Sequence, residues 1–225
     1  MTQAPGWTFS KIKEFDTCPR KYEGTYVTKE VPYTETEATI YGTELHKAAE
    51  DYIGEGTPLN SKFAWLQATL DRLNAIPGDK YCELELAIKR MDGRLVTCGF
   101  KDKDYWMRGI ADLAIVNGSV GHVVDYKSGK SSRYSDTRQL ALMAAGMFLR
   151  FPELETIKGA LLFVVAGQIV KASYTRENAL SIFAELNGLL TMRERAYETG
   201  VFNTKPNGLC RKYCGVTRCE HNGGG

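Results

Sequence analysis

Apolar positions recur at helical spacing through the first third of the chain. Residues 8–22 read as one helix, with Thr8 or Ser10 as its cap and Ile12, Phe15 and Tyr22 on its apolar side. From Tyr41 to Ile53, the residues Leu45, Ala48, Ala49, Tyr52 and Ile53 follow the i, i+3, i+4, i+7, i+8 spacing of a packed helical face. A third helix is predicted from Ser61 to Asn74. The period then changes. Residues 81–127 hold aromatic and β-branched runs broken at Asp92-Gly93 and Asn117-Gly118, which predicts antiparallel strands joined by tight turns. Helical character returns from Ser135 to Arg150, and residues 157–173 read as two short strands around Ala166-Gly167. A long amphipathic helix follows from about Thr175 to Thr199, with Ile182, Phe183, Leu186 and Leu190 on one side. No periodicity is left after Val201.

This order of elements predicts one α/β domain with a central mixed β-sheet flanked by helices, spanning residues 1–225. Within it, residues 1–75 form a helical part, 80–173 a sheet core, and 175–225 a C-terminal helix with a Cys-rich tail. The composition agrees: of 225 residues 43% are hydrophobic and 25% charged, which argues against disorder, collagen or coiled coil. With 29 Lys+Arg against 27 Asp+Glu, any attraction to nucleic acid has to come from a local surface. No apolar run reaches the roughly 18–20 residues that span a bilayer, and Met1 to Ser10 lacks the pattern of a signal peptide. The expected setting is the cytoplasm, with no membrane partner, where clustered cysteines hold metal more readily than disulfides.

The apolar segment from Arg108 to Val116 is interrupted by one carboxylate, Asp112, and the next strand, His122 to Lys127, by Asp125 and Lys127. Strand side chains alternate, so Asp125 and Lys127 share a face. A hairpin turning at Gly118-Ser119 sets Asp112 directly opposite Asp125; a turn at Asn117-Gly118 brings them together diagonally. Two carboxylates within cross-strand reach in an apolar sheet repel one another, and a divalent cation such as Mg²⁺ or Mn²⁺ resolves the conflict. Lys127 beside them can orient a water or stabilise charge on a phosphate. His46 sits at the border of its helix's apolar face and can complete a metal shell if that helix packs over the sheet. Gln139, near the start of the following helix, offers an amide for a phosphate or a base. Glu83 and Glu85 share a strand face and rank low, because most such glutamates are solvated.

Three cysteines, Cys210, Cys214 and Cys219, crowd the tail, one short of the four that a tetrahedral zinc or a four-iron cluster takes. His221 can be the fourth ligand for Zn²⁺, and Cys18, followed by Pro19, the fourth for an iron–sulfur cluster. Cys82 and Cys98 read as small buried hydrophobes.

In order, Phe9-Ser10 with Cys18-Pro19, Gly42 to His46, Gly109-Ile110-Ala111-Asp112, Val124 to Lys130, Gln139-Leu140 and the tail cysteines resemble the RecB-like branch of the PD-(D/E)XK nuclease superfamily. The resemblance implies a restriction-endonuclease-like core and a deoxyribonuclease dependent on Mg²⁺ or Mn²⁺. It also implies exonuclease or endonuclease action on DNA in recombination, repair or phage DNA processing, beside partner proteins of those processes. His46, Asp112, Asp125 and the Tyr126 carbonyl are then the metal ligands, Lys127 is the catalytic lysine, and Gln139 belongs to the motif on the next helix. Arg20, Lys21, Lys130, Arg133 and Arg138 flank these motifs and are expected to line the DNA path. In the members with a cluster, which include CRISPR-associated adaptation nucleases and AddB-type helicase–nucleases, the pattern maps a [4Fe-4S] cluster onto Cys18, Cys210, Cys214 and Cys219. The tail spacing is C-x₃-C-x₄-C where the family commonly has C-x₂-C-x₅-C, which keeps zinc as the alternative, and Met143 stands where an aromatic is usual. Two other readings are a non-catalytic DNA-binding subunit of a recombination complex and a zinc-stabilised adaptor.

Overall fold

The computed structural model describes residues 3–133 and 135–223. The elements are α1 (Phe9–Thr17), α2 (Pro19–Tyr22), α3 (Glu37–Glu55), α4 (Gln67–Asn74), β1 (Asp79–Met91), β2 (Arg94–Thr97), β3 (Met107–Asn117) and β4 (Val120–Lys127). They continue with α5 (Arg138–Arg150), β5 (Thr156–Phe163), β6 (Gln168–Thr175), α6 (Arg176–Leu180), α7 (Ile182–Thr199) and α8 (Cys210–Tyr213). The chain divides into two compact units: the two ends, up to Thr34 and from Phe183, form one, and Glu35–Ile182 form the other. Among the described residues no helix is long and apolar enough to cross a membrane.

In the unit made of the chain ends, the expected helix over 8–22 is broken. Cys18 is extended (φ −165°, ψ 112°), as the residue before a proline prefers. The helix restarts at Pro19 and runs on into a π-helical turn over Glu23–Val27. Tyr22 is fully buried, stacked on Phe202 and edge-on to Phe15 and Tyr197. The buried Arg193 donates from Nε to the Tyr22 hydroxyl (2.9 Å) and from a terminal nitrogen to the Pro5 carbonyl (2.8 Å), so its charge is held by neutral acceptors and two aromatic rings. The tail is tied back to the α1–α2 break. Arg20 N donates to Asn203 O (3.1 Å), Asn207 Nδ2 to Thr17 O (3.3 Å), and Lys205 to the Asp16 carbonyl.

The middle unit is built on a six-stranded sheet ordered β2-β1-β3-β4-β5-β6. All neighbours are antiparallel except β4 and β5, and the crossover that a parallel pair needs is α5. Two-residue turns close both early hairpins: Asp92-Gly93, with φ of 50° and 73°, and Gly118-Ser119, with Asn117 opposite Val120. On one face Leu113, Ile115, Val124, Tyr126 and Leu162 pack against Leu45, Ala49, Leu66 and Leu70 of the α3–α4 layer. The other face is covered by α5, where Gly159 of β5 meets Leu140.

The alternation of β1 inverts along its length. Cys82 faces Gly54 of α3, yet Leu86, four residues on, faces Gly146 of α5. The break falls at Glu83, whose φ is +49°. Cys82 pairs with Leu113 and Leu84 with Ala111, so the register is unshifted, but Glu83 and Asp112 between them drop out of the ladder.

Candidate functional site

The candidate site forms where β1, β3 and β4 lose their regular pairing, in the middle unit. The β3–β4 ladder runs from Asn117–Val120 to Leu113–Val124 and stops. The next positions in that register are Asp112 and Asp125, as the Gly118-Ser119 turn requires. In place of the ladder bond, the Tyr126 amide donates to Asp112 Oδ2 at 2.6 Å. The freed Tyr126 carbonyl meets His46 Nε2 at 3.0 Å, and His46 Nδ1 lies 3.4 Å from Asp112 Oδ2. Gly42, one turn before His46 on α3, lies against the loop after Lys127: a Cβ there would stand 3.3 Å from Ser128 Oγ. The Gly-x₃-His spacing thus lets the helix come close and then presents the imidazole.

Ligand atoms of His46, Glu83 and Asp112 all lie within 4.8 Å of one another. Asp125 is next to them, 3% exposed. Its Oδ1 accepts from Gln139 Nε2 (2.6 Å), and Gln139 Oε1 accepts from Lys127 Nζ (3.0 Å). Lys127 Nζ also lies 2.6 Å from Asp125 Oδ2 as an ion pair, although that buried oxygen is aligned with no hydrogen-bond donor. Burial, then the Asp112 charge, pushes the Asp125 carboxyl up to about 6, against the pull of Lys127. Burial and Asp112 likewise hold Glu83 above the usual carboxylate range. Burial disfavours the His46 imidazolium, but its hydrogen bond to Asp112 and the two aspartate charges outweigh this and raise its pKa.

Three carboxylates beside one lysine and one imidazole leave excess negative charge in a partly buried place. That donor set fits a hard divalent cation. Of the residues predicted from sequence, His46, Asp112, Asp125, Tyr126, Lys127 and Gln139 come together here. Gln139 links Lys127 to Asp125 and thereby fixes both side chains. Glu83, ranked low as a solvated strand residue, is the addition.

The five basic residues expected along a DNA path are mostly engaged locally. Arg20 pairs with Glu23 (2.8 Å) and Glu30 (2.6 Å), and Lys21 with Glu14 (3.2 Å). In the other unit Arg138 forms a fork with Asp136 (2.8 Å), while Lys130 and Arg133 are exposed in the loop between β4 and α5.

In the unit of the chain ends, Cys18, Cys210, Cys214 and Cys219 line one pocket together with His221. All are free thiols, Cys18 buried and the tail three half-buried. The Asn207 amide donates to Cys210 Sγ at 3.3 Å, and the Asn222 side chain bridges the Cys214 and Val216 carbonyls. Among the described residues no three of these five ligand groups come within 4.8 Å of one another.

The sequence matches the PD-(D/E)XK nuclease superfamily over residues 6–219, and the chain belongs to that superfamily. The fold is also that of solved structures at low identity. SSO0001 is 15% identical with a TM-score of 0.51, over 99% of this chain and 89% of that one. A candidate exonuclease from Eubacterium rectale is 12% identical with a TM-score of 0.53, over 96% and 89%. No curated protein matches the chain in sequence.

Proposed function

We propose that the protein is a deoxyribonuclease that hydrolyses DNA phosphodiesters with Mg²⁺ or Mn²⁺, acting as an exonuclease in recombination, repair or phage DNA processing. The observation that carries this is the convergence of His46, Glu83 and Asp112 beside the buried Asp125–Lys127 pair. His46, Asp112, Asp125 and the Tyr126 carbonyl would hold the metal, with Glu83 as a further oxygen ligand, direct or through water. When bound, the ion supplies Lewis acidity toward the phosphate and lowers the pKa of the attacking water. Lys127, held between Asp125 and Gln139, orients that water and offsets charge that develops on the phosphate. Gln139 keeps the lysine in place with its carbonyl and the aspartate with its amide. Superfamily membership and the likeness in fold to a candidate exonuclease support the reading.

The test is cleavage of end-labelled DNA by the purified protein. Hydrolysis is expected only with added Mg²⁺ or Mn²⁺, and loss of that activity in Asp125→Ala and Lys127→Ala. Variants as active as the wild type would overturn the site. DNA binding without metal-dependent cleavage would turn the reading into a non-catalytic subunit.

A [4Fe-4S] cluster on Cys18, Cys210, Cys214 and Cys219 is part of the same proposal. The support is that Cys18, far away in sequence, lines the same pocket as the three tail cysteines, which supplies the four thiolates such a cluster takes. His221 in that pocket is the fourth ligand of the zinc alternative. Anaerobically purified protein is expected to be brown and to contain iron and sulfide; colourless protein with one zinc would overturn this.

A further inference from the structure

The sheet has an open strip on the face that α3 crosses. Leu86 of β1 packs under Gly146 of α5, and its strand partner Gly109 shares that face. Arg108 and Ile110, on either side of Gly109, therefore project to the opposite face, the one under α3. There α3, which carries His46, runs from Gly54, against Cys82 of β1, to Gly42, against Ser128 after β4. Toward the start of β3 this cover ends: Ile110 is 39% exposed, and its partner Glu85 is exposed as well. Arg108 follows, opposite Ala87 and about 13 Å along the strand from Asp112. Its guanidinium lies over the rings of Tyr105 (4.3 Å to the centroid) and Phe100 (5.1 Å), and one terminal nitrogen donates to the Phe100 carbonyl at 3.2 Å. The carboxylates of the preceding loop are engaged elsewhere. Asp102 accepts from Gly99 N (2.9 Å), and Asp104 pairs with Lys89 (3.2 Å).

We propose that Arg108 is a fixed contact for a backbone phosphate of the DNA, one that flanks the phosphate being cleaved, and that the strip from Ile110 to Arg108 is the path by which the strand leaves the metal centre. The proposal deepens the nuclease reading and rests on it for the identity of the polymer. Three observations carry it. The strip begins at Ile110, beside the point where Glu83 and Asp112 leave the ladder, and it is open, whereas α5 covers the other face of the same strands. Arg108 has no carboxylate partner among the described residues, so the rest of its N–H donors remain for an anion. Arg20, Lys21 and Arg138, by contrast, already pair with carboxylates. Finally, two aromatic rings and one carbonyl hold the guanidinium in place, so little of its rotamer freedom is left to lose when a phosphate binds.

The test is DNA binding without divalent metal, so that it does not depend on cleavage. Fluorescence anisotropy with a short oligothymidylate gives Kd over a series of salt concentrations. Arg108→Gln, which can still donate to the Phe100 carbonyl, should make the dependence of log Kd on log salt shallower by about one, the share of one phosphate contact, and Arg108→Lys should restore it. Lys171→Ala removes an exposed cation on the edge strand β6 and should leave the slope as in the wild type. Ile110→Glu places a carboxylate on the path at an exposed position and should weaken binding about tenfold. With Mg²⁺ or Mn²⁺ added, Arg108→Gln should raise KM and leave kcat nearly unchanged, as loss of a contact made equally before and in the transition state requires. An unchanged slope in Arg108→Gln, an equal loss in Lys171→Ala, or full affinity in Ile110→Glu overturns the contact, and the last decides it even where the arginine variant fails to fold. Wild-type protein that shows these slopes but cleaves no DNA with either metal would instead count against the nuclease reading alone.

Discussion

Glu83 and Asp112 face each other across β1 and β3 at the one place where the pairing of those strands is interrupted. Both side chains leave the ladder, and both reach the candidate metal centre. The left-handed backbone at Glu83 (φ +49°) turns β1 over, so that Cys82 packs under α3 while Leu86 packs under α5. A non-glycine residue in that region costs roughly 1–3 kcal/mol, and such strain collects at functional sites. Here it points a carboxylate at two others.

Glu83 therefore combines a strained backbone and a proposed ligand, and two substitutions separate them. Glu83→Ala and Glu83→Gly both remove the carboxylate, but only alanine keeps a Cβ in the left-handed region. The glycine variant should be more stable in thermal or denaturant unfolding by about 1 kcal/mol. Both should bind Mn²⁺ about 10–100-fold more weakly in calorimetric titration, the usual effect of losing a group that supports a metal shell. Equal stability of the two variants would mean that the strain is relaxed some other way.

The raised pKa of Asp125, about 6, fixes a pH dependence and its sign. A carboxyl that holds its proton more tightly folded than unfolded contributes stability that is fully present below its unfolded value near 3.8 and is lost as pH rises through about 6. Metal-free protein should therefore lose this contribution between roughly pH 4 and pH 6. Mn²⁺ competes with the same proton, so its affinity should climb across that range. Asp125→Asn should flatten both slopes, leaving only what Glu83 and His46 contribute. The measurement is the difference between wild type and variant in thermal melts and Mn²⁺ titrations at a series of pH values.

Gln139 bridges Lys127 and Asp125 at 3.0 and 2.6 Å. Gln139→Leu keeps the volume, leaves Asp125 Oδ1 without its donor, and releases the ammonium. Displacement of a catalytic group by about 1 Å can cost 10²-fold in rate, so kcat should fall by about that factor with little change in KM. A change in KM alone would place the amide on the substrate rather than on the lysine.

Much of this fold was legible because local chemistry decided it. Asp92-Gly93 supplied the positive φ of one hairpin, and Gly118-Ser119 placed Asp112 opposite Asp125. The spacing of Leu45, Ala49 and Ile53 predicted the helix that carries His46, and Cys82 packs as the small hydrophobe it resembles. Two helices were read as continuous where they break. Pro19 forces Cys18 out of the first, a restriction that could have been applied, and α6 stops at Leu180 before α7 starts at Ile182. Glu83 could not be read in the same way. Its role depends on an inverted alternation that the neighbouring strand and both helix layers impose, and a glutamate in an alternating strand carries no sign of it. The basic residues near the motifs were visible, but the carboxylates that pair with Arg20, Lys21 and Arg138 depend on side-chain placement.

Gly42 and His46 occupy the same side of α3, one against Ser128 and the other against Tyr126. Gly42→Val would push α3 away from the loop after Lys127 and carry the imidazole with it. Mn²⁺ affinity is expected to fall about tenfold or more, while Gly42→Ala, whose single methyl meets only Ser128 Oγ at 3.3 Å, should lose much less. Equal affinities for the two variants would show that the close approach does not position His46.

Asn207 holds the cysteine pocket together from outside the proposed ligand set. Its amide N–H donates to Cys210 Sγ, its side chain ties the tail to Thr17 O beside Cys18, and its Oδ1 accepts from Leu209 N (2.9 Å). Asn207→Ala removes the three side-chain bonds, to Thr17 O, to Lys205 O and from Leu209 N, while leaving all four thiols. At about 1 kcal/mol per hydrogen bond, unfolding should be easier by roughly 1–3 kcal/mol, and iron retained during aerobic purification should drop. His221→Ala, by contrast, should leave iron and visible absorbance unchanged if the four cysteines are the ligands. Loss of the bound metal in His221→Ala but not in Cys18→Ser would reverse that assignment in favour of zinc on the tail alone.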